Sequence, residues 1–155
     1  MVANKRRWGR EMALQMLYQL ELGESEARDV RARFNPVEYL AAMEEGSPPD
    51  AERVQQAFAF AGELFDGTLG RLEEVDAMIR SQAQNWRLER MPAVDRNILR
   101  LAIYELLAEP DVPQLVVLDE AIELAKRYGS DQSGAFVNGL LDGLLKRAEL
   151  PGSKS

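Results

Sequence analysis

A chain of 155 residues suits one domain and can bury about 68–70% of its unfolded surface. With neither cysteine nor histidine it has no disulfide, no thiolate site, no zinc site built on those side chains and no triad that relies on an imidazole. Its formal charge of −7 repels a polyanion at long range. Residues 1–10, however, hold Lys5, Arg6, Arg7 and Arg10 and no acid, which leaves 15 of the 19 basic side chains to face 26 acidic ones elsewhere. Only that end suits phosphates, although a short basic start is equally common as a solvated tail.

The period is helical almost throughout. The first element is expected from about residue 4 to Leu22, with Trp8, Met12, Met16 and Leu20 on one side, Ala13 and Leu17 on the next, and Gly23 as a stop. Its first turn is cationic, which the helix macrodipole disfavours by a few tenths of a kcal/mol, so the arginines are not there to stabilise the helix. From Glu24 to Glu52 the chain is acidic and weakly patterned, with a short helical piece near Val37 to Met43. The stretch GSPPD at 46–50 then reads as an exposed loop.

After Asp50, a candidate cap, Val54, Ala57, Phe58, Ala61, Leu64 and Phe65 recur at helical spacing. Gly67 is expected to end that helix, with Asp66, Gly67, Thr68 and Gly70 as a loop or cap. Leu69, Leu72, Val75, Met78 and Ile79 form a further stripe expected to continue towards Trp86. Pro92 opens the next helix, whose wide apolar face of Ile98, Leu99, Ala102, Ile103, Leu106 and Leu107 marks it as central. Asp111, Val112 and Pro113 start another, ended by Lys126, Arg127 and Gly129. The last begins around Ser130 to Ser133 and packs through Phe136, Val137, Leu140, Leu141, Leu144 and Leu145, its glycines allowing close helix approach. The expected class is all-α, two small helical bundles in one compact domain over 1–155, divided at about 4–80 and 81–148.

No catalytic constellation stands out. Asp119, Glu120 and Glu123 share a helical face, but a carboxylate-bridged metal site also uses histidine, and Lys126 and Arg127 make a solvated face the simpler reading. No Gly-rich phosphate loop or EF-hand spacing is present, so neither a metal nor a cofactor is expected. No apolar run approaches the roughly 20 residues of a membrane span, and the basic start lacks a signal-peptide core. A soluble, cytoplasmic, non-enzymatic protein is expected.

The basic start KRRWGRE, ALQMLYQLEL at 13–22, NWRLERMPAVDRNILRLAIYELL at 85–107, DVP at 111–113, EAIELAKRYG at 120–129 and FVNGLLD at 136–142 follow one another in an order that resembles the NusB family. That resemblance spans nearly the whole chain except roughly 24–52. It implies an all-α, non-catalytic factor that binds boxA single-stranded RNA together with NusE, a small-subunit ribosomal protein. The complex joins the RNA polymerase antitermination complex on ribosomal RNA operons. It further implies that Lys5, Arg6, Arg7, Arg10, Phe136 and Asn138 contact RNA, and that Tyr18, Glu89, Asp95 and Arg96 face NusE. Cations beside an exposed aromatic are the chemistry of single-strand binding. Each of these residues also has a plainer reading: Phe136 as core, Asp95 as a group serving its own helix N-terminus, Tyr18 as packing.

Two positions depart from the family pattern, Trp8 in place of a third clustered arginine and Ala135 in place of a lysine. Both remove a phosphate partner, unless Trp8 stacks on a base. Two other classes stay open: a helical protein-interaction module or homodimer whose basic start is incidental, and an RNA-modifying enzyme, since some RNA cytosine methyltransferases carry a NusB-like domain. The last lacks room for a cofactor domain and has no catalytic cysteine.

Overall fold

The computed structural model describes residues 2–43, 50–83 and 86–147. Among them are eight α-helices, one 3-10 turn and no strand. The helices are α1 (Val2–Leu22), α2 (Ala27–Arg33), α3 (Pro36–Met43), α4 (Ala51–Gly70), α5 (Leu72–Gln82), α6 (Ala93–Ala108), α7 (Gln114–Tyr128) and α8 (Ser133–Arg147), with the 3-10 turn at Leu88–Arg90. The chain forms two compact units, residues 1–66 and 67–155. The division therefore falls inside α4, where the hydrophobic pattern had suggested a boundary near 80.

In the first unit α1 carries the core. Trp8, Met12 and Met16, four residues apart, are all buried, as are Ala13 and Leu17 one position on. The helix packs on α2 and α3, and Gly23 closes it by donating its N–H to the Gln19 carbonyl at 2.9 Å. The weakly patterned stretch after Glu24 holds a helix that the sequence did not announce. α2 is about two turns long, and Val30 is its only buried residue, so no period could be read from it. It starts where Glu26 accepts backbone hydrogen bonds from Asp29 and Val30. α3 lies where it was expected. Residues 46–49 of the expected loop lie outside the described residues, and Asp50 is exposed.

Gly67 does not end α4, which runs to Gly70. A Cβ at Gly67 would overlap the Tyr104 ring and hydroxyl, so the glycine clears space for a side chain of α6. Thr68 next to it is fully buried, which excludes the expected loop. Leu69 thus belongs to α4, and the stripe after it stops with α5 at Gln82. Trp86 lies beyond it and is 55% exposed.

The second unit is built around α6, which packs on α5, α7 and α8. Ile98, Leu99, Leu101, Ile103 and Leu106 are all within a few per cent of full burial, which accounts for the wide apolar face. Pro92 and Pro113 precede α6 and α7 as their caps, pre-set for helix entry and with no N–H to leave unpaired. Gly129 follows α7, and Lys126 and Arg127 occupy its last turn. In α8, Val137, Leu140, Leu141 and Leu144 are buried, whereas Phe136 and Leu145 are half-buried. Gly139 has open space around it and so supports no helix contact; Gly143 is met by the side chain of Gln82 from α5.

A nearly buried ion pair links α5 and α6 in this unit. The Arg100 guanidinium on α6 takes both oxygens of Asp76 on α5, at 2.8 and 3.1 Å. It also donates to Asn97 at 3.2 Å. Their side chains are 14% and 11% exposed. Asp119 and Glu123 are exposed and Glu120 is half-buried. Among the described residues no group of three acidic side chains is placed to hold a metal ion, and no helix is long and apolar enough to cross a membrane.

Candidate nucleic-acid interface

The cationic turn of α1 is held against α4 of the first unit. Lys5 Nζ donates to Gln56 Oε1 at 3.0 Å. The Arg6 and Arg10 guanidinium carbons lie 5.1 and 5.8 Å from the centre of the Phe60 ring, within reach of a cation–π attraction of about 0.5–2 kcal/mol each. Gly9 makes this possible: a Cβ there would meet Phe60 Cδ2 at 2.6 Å and the Ala57 carbonyl at 3.0 Å. Phe60 was not singled out in the sequence because it falls off the buried stripe of α4 and lies some fifty positions from the arginines it serves.

The four cations are not equivalent. Arg7 is exposed, and Lys5 and Arg6 are half-buried. One nitrogen of Arg6, Nη1, is buried without a hydrogen-bond partner. Arg10 is only 4% exposed, so it sits beneath this surface and holds it. Trp8 is 8% exposed and packs in the core, which excludes it as a stacking platform for a base. Tyr18 is half-buried further along α1.

The remaining site residues lie in the second unit, where Phe136 and Asp95 line a cavity of about 140 Å³. Phe136, in the first turn of α8, and Trp86 form two of its walls, their rings edge to face with centroids 6.1 Å apart and planes at 61°. Met91 and Pro92 add apolar surface, and Asp95, Ser130 and Gln132 supply polar atoms. Asn138 is exposed half a turn along from Phe136. Trp86 and Gln132 were not identified as site residues from sequence. The first read as the tail of an apolar stripe, and the second fell within the start of the last helix.

Of the residues expected to face a protein partner, Asp95 lines this cavity. Asp95 is 5% exposed and accepts a 2.6 Å hydrogen bond from the Ser133 hydroxyl. Ser133 Oγ in turn accepts from the Ser130 amide at 2.9 Å. The carboxylate therefore ties the start of α6 to the turn before α8. Arg96 Nη1 donates to the Leu88 and Met91 carbonyls at 3.0 and 2.7 Å, clamping the 3-10 turn. Glu89 is exposed and pairs with Arg80 at 3.2 Å. A hydrogen bond involving its own backbone, and then Arg80, hold its carboxyl below the usual range. Glu89 and Arg96 thus remain near the surface of one turn, while Asp95 lies under it.

An all-helical chain whose first unit has a cationic helix start and whose second unit has an aromatic cavity offers surfaces suited to binding. The match to known proteins narrows that reading. The chain belongs to the NusB family, whose model matches residues 8–146. It is 51% identical over 134 residues to the transcription antitermination protein NusB of Sorangium cellulosum, covering 86% of each chain. It is similar to the solved T. maritima NusB, with 37% identity, a TM-score of 0.66, and 92% and 91% of the two chains covered. It also shares the fold of a solved structure of antitermination factors NusB and NusE in complex with dsRNA, at 24% identity and a TM-score of 0.74 over 94% and 98% of the chains. Lys5, Arg6 and Arg7 precede the matched residues and Arg10 lies within them.

Proposed function

We propose that this protein is a cytoplasmic, non-enzymatic transcription antitermination factor. It binds boxA of nascent ribosomal RNA together with NusE and enters the RNA polymerase antitermination complex. The observation that carries this reading is a cationic helix start, held at Phe60, in a chain half identical to a transcription antitermination protein. Lys5, Arg6 and Arg7 meet phosphates, with Arg10 fixing them from below. Phe136 offers a stacking face and Asn138 a polar group for bases, the division of labour that single-stranded RNA requires. Tyr18, Glu89 and Arg96 face NusE, and Asp95 shapes that surface through Ser133.

Binding of a labelled boxA-type RNA, with and without the cognate NusE, across a salt series and against a scrambled RNA, tests the reading. Tighter, sequence-dependent binding with NusE is expected, and weaker binding by the protein alone. A free protein that binds boxA as well as the complex does would sink the cooperative scheme. Absence of discrimination under both conditions would leave a helical interaction protein.

A further inference from the structure

Within the first unit α4 presents two working faces. Phe60 meets the arginines of α1, whereas Phe58, two positions earlier, lies about 200° away around the helix axis. On this second face Phe58, Gly62 and Asp66 recur every four residues. Against them stand Arg28, Arg31 and Phe34, which recur every three along α2 and its C-terminal cap. Phe34 and Phe58 stack with ring centroids 5.8 Å apart and planes at 6°. Asp66 pairs with Arg31 through Nη1. A Cβ at Gly62 would overlap the Arg31 guanidinium, so the glycine is what lets that cation lie along α4. Between the two rows is an open groove of about 590 Å³ lined by Arg28, Arg31, Ala32, Phe34, Phe58 and Asp66.

We infer that this groove docks an acidic peptide segment of a partner protein, extended, with a carboxylate two positions from an apolar side chain. The inference goes beyond the RNA-binding reading and does not depend on it. The Arg28 side chain is 84% exposed. The Arg31 guanidinium presents five donors in a fixed fork, of which Asp66 meets one nitrogen, so a second carboxylate can be received beside the first. The half-buried phenylalanines give an apolar side chain a flat floor one turn further on. The spacing follows from the helix, since Phe34 lies about 4.5 Å along the axis from Arg31 and about 9 Å from Arg28. Side chains two apart on one side of an extended peptide are separated by about 6.6 Å, between those two values.

The charges select a peptide over a nucleic acid. A polyanion laid along the groove meets a carboxylate beside each cation, Asp66 at Arg31 and Glu26 at Arg28, the latter pair 3.4 Å apart. A peptide brings a single charge to the arginines together with backbone N–H groups, which Asp66 can accept.

The isotope-labelled full-length protein is titrated at low salt with the capped peptide Gly-Glu-Ser-Phe-Ser-Gly, following backbone amide shifts. Shifts are expected within residues 27–34 and 58–66. Replacing the peptide's glutamate by glutamine is expected to weaken binding about fivefold, and replacing its phenylalanine by alanine about tenfold. Arg28→Glu, at an exposed position, is expected to weaken the peptide about fivefold and to leave affinity for boxA-type RNA unchanged. Should that variant fail to fold by circular dichroism, Arg31→Ala makes the same comparison. Shifts confined to residues 5–10 would mean simple attraction to the cationic start of α1 and overturn the groove, as would equal binding of the glutamine peptide or no shifts at millimolar peptide. An oligouridylate that moves the same groove amides and displaces the peptide makes the groove an RNA contact and overturns the inference.

Discussion

At the residue scale the most consequential pair is Asp76 and Arg100. Both are nearly buried and joined by two hydrogen bonds, so neither can be removed alone without leaving a charge in a low-dielectric interior. Arg100→Ala is expected to cost about 3–5 kcal/mol in urea unfolding. Asp76→Leu with Arg100→Met, which removes both charges, is expected to cost clearly less than that. Glu89 lies at the opposite extreme. Its carboxyl titrates below the usual range in the folded chain, so the stabilisation it gives is complete above the unfolded value of about 4.3 and is lost as the pH falls through the lower folded value. Glu89→Gln should therefore lower the melting temperature slightly at neutral pH, with the difference from the parent shrinking in acid. A difference that grew on acidification would remove Arg80 and the local hydrogen bond as its cause.

At the element scale, burial periodicity made most of the fold legible. α1, α6, α7 and α8 each bury a stripe long enough to be read from spacing, and Gly23, Pro92, Pro113 and Gly129 mark ends of the first three. α2 was not legible because one buried valine cannot define a period. The end of α4 was misread because a glycine in a helix signals either a stop or a close neighbour, and only the partner tells which. At Gly67 the partner is Tyr104. Gly67→Ala is expected to cost about 1–3 kcal/mol by displacing that ring, measured by thermal unfolding. Introducing it into a Tyr104→Ala background should cost much less, and equal costs in both backgrounds would show that the clash is not the reason. The candidate interface was half legible by the same logic. The cations of the first unit lie together in sequence, whereas Phe60 reaches them, and Trp86 and Gln132 reach Phe136 within the second unit, only through folding.

At the scale of the whole molecule, charge segregation resolves the apparent conflict between an acidic protein and an RNA ligand. A net charge of −7 acts over the Debye length, about 8 Å at physiological salt, so contact affinity is set by the cations that reach phosphates. Of those at the start of α1, Arg7 is the exposed one and Trp8 beside it is core. The two neighbours should therefore separate cleanly in one experiment. Arg7→Ala is expected to reduce affinity for single-stranded RNA and to flatten the slope of log K against log salt by about 0.7, one phosphate contact. Trp8→Phe should leave the slope unchanged and lower stability by about 1–3 kcal/mol through lost core volume. The reverse outcome, a salt slope indifferent to Arg7 and an affinity that falls with Trp8 at constant stability, would mean that the indole reaches the RNA and the arginine does not.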